Sequence, residues 1–352
     1  MADGPGSHKN SHEGSESNAG IVGQKSRGVK GHLKKFWWIY LAVSTAVVLI
    51  VVLCITFVAV PRIAQSKLDA ANLDIDSVVI SQVEPDSFNM AINSTILADS
   101  GGVQATIRAF EGSMYLLSGG DAVASADPFA KFQFPEVESS AAVTVNVSQK
   151  VPVEDVGSLV AFNVQLLSQD FVNVRVEGST QIRVAGIARD YPVTFSKDLK
   201  LKAFNGFAGI SVSDISASLA TTRNFNGTVH IPNPTVFTFV IGNTTWNNYI
   251  DGGANVGTLY MPNLGIYPGN NDFHVSADIA QGPVLTALGK KPVCEDPQGD
   301  LTFQLSGKTV ENHGQSIPWL ASALAAHNAS ITMPVGAAVA KVLGSRIPCS
   351  NN

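Results

Sequence analysis

The 352-residue sequence predicts a mainly β fold: two tandem antiparallel β-sandwich domains, each with a packed helix, behind one N-terminal transmembrane helix. Three observations predict it. A long run from Phe36 to Val60 contains no charged residue. Beyond it, apolar and polar residues alternate with period two in one segment after another, the pattern of strands with one wet face. Landmarks in that β-rich part recur in the same order in two halves.

Residues 1–35 are rich in Gly, Ser, Asn, His and Lys and nearly devoid of apolar side chains. Such a segment cannot offset the entropy of ordering, so it reads as a disordered tail. Its His8, His12 and His32 read as solvated side chains, with no metal-binding motif around them.

The span 36–60 reads FWWIYLAVSTAVVLIVVLCITFVAV. A hydrocarbon core about 30 Å thick needs roughly 20 apolar residues as helix. Trp37, Trp38 and Tyr40 gather at one end, where amphipathic rings favour the interface. Lys25, Arg27, Lys30, Lys34 and Lys35 precede the run, whereas only Arg62 and Lys67 follow closely. Positive charge marks the cytoplasmic side, so the expected topology is single-pass, with a cytoplasmic N-terminus and a translocated bulk. A cleaved signal peptide competes with this reading. Its apolar stretch runs about 7–15 residues, and this run is longer and starts later, which favours an uncleaved signal anchor.

The translocated part carries the alternation. Val143, Val145 and Val147 face one way, and Thr144, Asn146 and Ser148 the other. Val172, Val174 and Val176, then Leu199 and Leu201, then Phe273, Val275, Ala277 and Ile279, then Leu301, Phe303 and Leu305 repeat the pattern. Helices are expected over 153–169, 283–288, 318–327 with Ser316 as the cap, and 337–343. In the first half, FNMAINST, Ser118-Gly119-Gly120-Asp121, Phe134-Pro135, VTVNVSQ and VRVEGS follow one another. In the second, NFNGTVHI, Asp251-Gly252-Gly253-Ala254, Met261-Pro262, VSADIAQ and FQLSGK keep that order. Duplication of one β domain explains this, giving domains 61–204 and 205–352 with the boundary at Phe204-Asn205-Gly206.

Charge and cysteines narrow the function classes. The tail's six Lys and Arg against three acids leave it near +3, and the remaining 17 basic and 25 acidic residues leave the rest near −8. An acidic domain without a basic stripe argues against nucleic acid as a partner. Cys54 lies within the apolar run and reads as a small hydrophobe. Cys294 and Cys349 lie in the translocated part, where an isolated pair is a disulfide candidate, with two unpaired thiols as the other reading. N-x-S/T acceptors occur at Asn93, Asn146, Asn226, Asn243 and Asn328, all beyond the apolar run; Asn233 is followed by Pro234 and is not one. Outward phasing and turn positions favour Asn146 and Asn226.

No G-x-S-x-G, H-E-x-x-H, C-x-x-C or phosphate-loop motif is present. His230 and His274 sit on the polar phase of expected strands, and His327 at the end of an expected helix. No carboxylate pair has an evident acid–base role. The sequence therefore predicts no catalytic residue, no metal site and no cofactor.

The stretch NFNGTVHIPNPTVFTFVIGNTTWNNYIDGG, followed by LYMPNLGIYPGNNDFHVSADI, resembles the late embryogenesis abundant type 2 domain, also called the water-stress and hypersensitive response domain. Asn233-Pro234 after a first strand, an alternating strand, and the Pro268-Gly269 turn before another carry the resemblance. With its anchor and tandem layout, the chain looks like a fungal membrane-anchored family of unknown function with such domains. The resemblance runs from about Ile63 onward. The first half departs from it, offering Asp99-Ser100-Gly101 where the Asn-Pro pair belongs. The resemblance implies a small sandwich with a packed helix, vacuolar or other endomembrane placement rather than the plasma membrane, and no catalytic residues.

The expected function is non-enzymatic. One reading is a module that binds lipid in an apolar groove between sandwich layers, lined by Phe237, Phe239, Phe273, Val275, Phe303 and Leu305. The ordinary core of a sandwich needs the same inward residues. The alternative is a scaffold or adaptor that links lumenal domains to cytosolic partners through the tail.

Overall fold

The computed structural model describes residues 29–97, 104–118, 123–125, 127–139, 142–250 and 253–350. Most of the expected disordered tail lies outside these residues. So do Asp99-Ser100-Gly101, Gly119-Gly120-Asp121 and Asp251-Gly252. The chain divides into two compact units, Met1–Ala59 and Val60–Asn352.

The first unit holds α1 (Val29–Cys54), whose helical backbone breaks at Phe36, followed by a π-helical turn over Ile55–Ala59. Helical structure from Phe36 onward is long and apolar enough to cross a membrane. Its two threonine hydroxyls bond back to the helix. Thr45 Oγ1 donates to Leu41 O at 2.8 Å, and Thr56 Oγ1 to Val52 O at 2.8 Å. That leaves no orphan donor at either threonine, as a hydrocarbon solvent requires. Cys54 is exposed on this helix.

The second unit opens with α2 (Val60–Ala70) and is otherwise mainly β. Its strands are β1 (Asn72–Ser81), β2 (Ser87–Leu97), β3 (Ala105–Ile107), β4 (Phe110–Ser118), β5 (Val123–Ala124), β6 (Ala130–Phe134), β7 (Val137–Glu138) and β8 (Ala142–Pro152). After α3 (Val156–Ser168) come β9 (Phe171–Val184), β10 (Asp190–Lys202), β11 (Ser211–Ala217), β12 (Phe225–Asn233), β13 (Phe237–Ile250), β14 (Ala254–Ile266) and β15 (Gly269–Ile279). Then follow α4 (Gln281–Leu288), β16 (Leu301–Asn312), β17 (Gln315–Ser316), α5 (Pro318–Ala325), β18 (Ala329–Met333) and α6 (Val335–Leu343).

Among the described residues these strands form an 11-stranded and a 7-stranded sheet. The larger runs β11-β12-β15-β14-β13-β1-β2-β8, with β16 branching from β13 and β17 and β18 pairing with β16. The smaller runs β5-β4-β9-β3-β7, with β10 on β9 and β6 on β4. The expected boundary at Phe204 coincides with a single 3-10 turn, Asn205–Phe207. Strands from either side of that turn share the larger sheet, because β1 pairs in parallel with β13 through Val78↔Phe237 and Ile80↔Phe239.

The period-two phases put their apolar members inside. Val172, Val174 and Val176 are fully buried on β9, and Val145 and Val147 are buried on β8. The α3 helix starts where Asp155 accepts a hydrogen bond from Ser158 N, which satisfies one of the orphan donors of the first turn. It buries Leu159, Phe162, Leu166 and Leu167 at helical spacing. Phe162 stacks on Phe129 with centroids 4.2 Å apart and reaches Phe237 at 6.5 Å, so α3 packs against β13. At α5 the expected cap is corrected. Ser316 belongs to β17, paired with Glu311, and Ile317 occupies the cap position without a side-chain bond. Pro318, whose missing N–H is an orphan there anyway, starts the helix instead. The α6 helix ends at Gly344 with φ of 74°, the left-handed stop that glycine adopts without strain.

Candidate functional site

A polar cluster lies on the outer face of β11, β12 and β15. His230 pairs across the ladder with Asp272 and, on the other side, Ser213 sits opposite Thr228, diagonal to His230. Cross-strand and diagonal neighbours are within side-chain reach on one face. His230 Nδ1 lies 2.7 Å from Asp272 Oδ1, and its Nε2 lies 2.8 Å from Ser213 Oγ. Ser213 Oγ also lies 2.9 Å from Asp214 Oδ2, at a bulge where Asp214 has φ of 51°. One rung away, Thr228 Oγ1 meets His274 Nδ1 at 3.1 Å.

The connectivity Ser213–His230–Asp272 is that of a nucleophile, base and orienting carboxylate. Its setting differs from that of an acyl-transfer site. The His230 and Asp272 side chains are 37% and 66% exposed, on an open sheet face. Ser213 has one hydroxyl hydrogen for two acceptors, His230 and Asp214, so the serine is shared with a carboxylate rather than committed to the imidazole. Sequence reading placed both histidines on the polar phase but missed Ser213 and Asp272, because partners 17 and 42 residues from His230 become its neighbours only through register.

Beside this face, Arg223 anchors the β11–β12 connection. Its guanidinium lies 3.5 Å from the centroid of the Tyr260 ring, and its Nη1 donates to Ser276 Oγ at 2.6 Å. Tyr260 OH donates to Asp278 Oδ2 at 2.8 Å, and Arg223 N donates to Asp278 Oδ1 at 2.5 Å. The Arg223 amide bond, then the Tyr260 bond, hold the Asp278 carboxyl below the usual carboxylate range. The same bond pushes the Tyr260 hydroxyl up.

The six candidate groove residues are not brought into one channel. Phe237 and Phe239 line a cavity of about 40 Å³ among β1, β2, α3 and α5 residues. Val275, Phe303 and Leu305 line another of about 40 Å³, and Phe239 and Leu305 both line a third of about 40 Å³. Phe273 is half-buried and lines none of them. Ligand sites for small molecules run to roughly 300–1,000 Å³. These cavities are far smaller than that; a larger one, of about 980 Å³, opens among β3, β7, β8 and the β9–β10 turn and is lined by none of the six.

Cys294 and Cys349 form a disulfide with Cα atoms 5.2 Å apart. It ties the chain end to the turn after α4, where Ser350 N also donates to Gly289 O at 2.8 Å. Of the acceptor asparagines, Asn146, Asn226, Asn243 and Asn328 are exposed and Asn93 is half-buried. Among the described residues, no three His, Cys, Asp or Glu side chains group as metal ligands.

These features define a mainly β protein with one helix able to cross a membrane. Residues 127–248, from before β6 to near the end of β13, match the family described as Protein of unknown function (DUF3712). No curated protein matches the sequence. Among solved structures, the CupB6 tip adhesin from Pseudomonas aeruginosa aligns at 7% identity and a TM-score of 0.20, over 74% of this chain and 97% of that one. A bacterial adhesin from Mobiluncus mulieris aligns at 11% identity and a TM-score of 0.20, over 68% and 80%. The periplasmic chaperone SfaE aligns at 11% identity and a TM-score of 0.16, over 70% and 95%. Likenesses at these TM-scores carry no argument about this chain.

Proposed function

We propose that the protein is a membrane-anchored, non-enzymatic adaptor. Its β-rich unit is displayed on the lumenal or extracellular side, and its tail is available to cytosolic partners. The carrying observation is the pairing of one apolar helix, long enough to cross a membrane, with a mainly β unit. Orientation rests on the Lys and Arg excess before Phe36. Vacuolar or endomembrane placement, and the tandem late embryogenesis abundant type 2-like reading, rest on the resemblance alone. Lipid binding draws no support from the cavities of about 40 Å³ that the expected groove residues line.

Proximity labelling from the tail and from the C-terminus of the full chain tests the reading. Two distinct partner sets, cytosolic at the tail and lumenal at the C-terminus, are expected. Hydrolysis of small esters by the purified protein, abolished by Ser213→Ala, would overturn the non-enzymatic part. Stoichiometric lipid retained inside the β unit would restore the groove.

A further inference from the structure

The five acceptor asparagines are not equivalent in the fold. All belong to the larger sheet: Asn93 on β2, Asn146 on β8, Asn226 on β12, Asn243 on β13, and Asn328 immediately before β18. The strands of the smaller sheet carry none.

Asn93 and Asn146 are direct cross-strand partners. Their side chains share one face, with Cβ atoms about 5 Å apart. Only one of the two has room for a bulky substituent. The β8 strand ends the sheet and Asn146 is exposed on it, whereas β2 lies between β1 and β8. Asn93 is flanked by Ser77 on one side and Asn146 on the other. Its Oδ1 is buried without a hydrogen-bond partner, and Thr95 of the same acceptor motif is engaged by Asp76 at 2.8 Å.

Asn243 is the opposite case. It sits between two register shifts of β13, next to Gly242 with φ of 107°. Its Oδ1 accepts from Asn263 N at 3.0 Å. That bond fixes the amide and leaves Nδ2, the atom that carries an N-linked sugar, as the free end of an exposed side chain. Asn226 is exposed on the outer face of β12, and Asn328 is exposed before β18.

We propose that the folded protein carries N-linked oligosaccharides at Asn146, Asn226, Asn243 and Asn328 and none at Asn93. The sugars then coat the larger sheet and leave the smaller one bare. The exposed side of the smaller sheet instead carries ion pairs, with Arg175 bonded to Asp198 at 2.6 Å and Arg183 to Asp190 at 2.6 Å. This rests on the extracytoplasmic placement proposed above. The co-reactant is a lipid-linked oligosaccharide diphosphate, used by the membrane's own transferase. A bond forms between Nδ2 and the sugar C1 as the C1–O bond to the diphosphate breaks. The lipid diphosphate leaves with the electron pair, and Nδ2 loses one proton. Transfer precedes folding, so a chain modified at Asn93 is hindered from forming the crowded Ser77–Asn93–Asn146 rung in which the Asn93 amide oxygen is buried, and the folded population lacks it.

The test uses the full chain, purified folded from eukaryotic membranes. An N-glycosidase in ¹⁸O water converts each glycosylated Asn to labelled Asp, which peptide mass spectrometry locates. A variant adds a reporter acceptor in the β9–β10 turn, Gly186→Asn with Ala188→Thr. Gly186 has φ of 83°, which Asn tolerates, and a side chain there meets nothing within 4 Å. Label is expected at Asn146, Asn226, Asn243, Asn328 and the reporter, and not at Asn93. Asn93 stays unlabelled in Asn146→Gln as well, because the crowding around its own half-buried amide, not its neighbour's glycan, excludes the sugar. Label at Asn93 in folded protein overturns the proposal. So does an unlabelled member of the four when the reporter is labelled, and in that case the placement stands. No label anywhere, reporter included, overturns the placement and the proposal with it.

Discussion

Gln65 and Thr194 are joined twice through one side-chain amide. Gln65 Oε1 accepts from Thr194 N at 2.9 Å, and Gln65 Nε2 donates to Thr194 O at 2.8 Å. Thr194 lies on β10, which among the described residues pairs with β9 alone, so the glutamine of α2 takes up backbone groups on its other edge. Lys197 extends the contact by donating to the carbonyls of Asp69 and Ala71 at 2.8 and 2.5 Å. The segment that follows the apolar helix is thereby built into the β unit.

Replacing Gln65 with Ala removes both bonds and returns the Thr194 groups to water. The expected loss is about 1 kcal/mol, the net worth of a hydrogen bond or two at a solvated edge. Chemical denaturation of the full chain in detergent reads it. An unchanged midpoint would show that the amide pairing contributes nothing.

The Cys294–Cys349 disulfide closes a sequence separation of 55 residues. Chain-entropy reasoning assigns a loop of that size about 4 kcal/mol. Cys294→Ser and Cys349→Ser should each lose most of that, and the double variant little more, by thermal denaturation without reductant. Additive losses would mean each cysteine acts through packing rather than through the bond.

Two glycines should respond in opposite ways. Gly257 has φ of 149°, and a Cβ there would lie 1.9 Å from the Asp278 carbonyl oxygen. Gly257→Ala forces the β14–β15 ladder apart and should cost on the order of 3 kcal/mol. Gly282 lies in α4 with open space around it, so Gly282→Ala should stabilise by roughly 0.5–1 kcal/mol. Denaturation midpoints moving the same way in both variants would contradict the backbone argument.

Acid should erode specific contacts. The Arg223 amide and Tyr260 lower the Asp278 carboxyl, and the Arg175 guanidinium lowers Asp198. A carboxyl depressed in the folded state contributes stability above its unfolded value, about 3.9, and loses it as pH falls through the folded value. Melting temperatures of the wild type and Asp278→Asn should therefore differ at pH 6 and converge below about pH 4. A constant gap across that range would mean the Asp278 charge plays no part.

What the sequence disclosed was local. The valine phase of β8 and β9, the α3 helix and the apolar run follow from spacing, because side-chain periods of 2 and 3.6 are written along the chain. Register is not written there. The parallel pairing of Val78 with Phe237 joins strands more than a hundred residues apart, and the Ser213–His230–Asp272 array needs three strands in alignment. Phe237 and Phe303 were legible as inward-facing, yet whether they shared one groove depended on how the layers closed. Ser316 failed as a cap because pairing with Glu311 claimed it for β17.

The central claim is an anchor with the β unit on the lumenal or extracellular side, and protease protection tests it most directly. Sealed microsomes bearing the full chain, with epitopes at both ends, are treated with protease before and after detergent. The account predicts loss of the N-terminal epitope alone before detergent, with the large C-terminal part intact. Digestion of that part in sealed vesicles, with the N-terminal epitope protected, would contradict it.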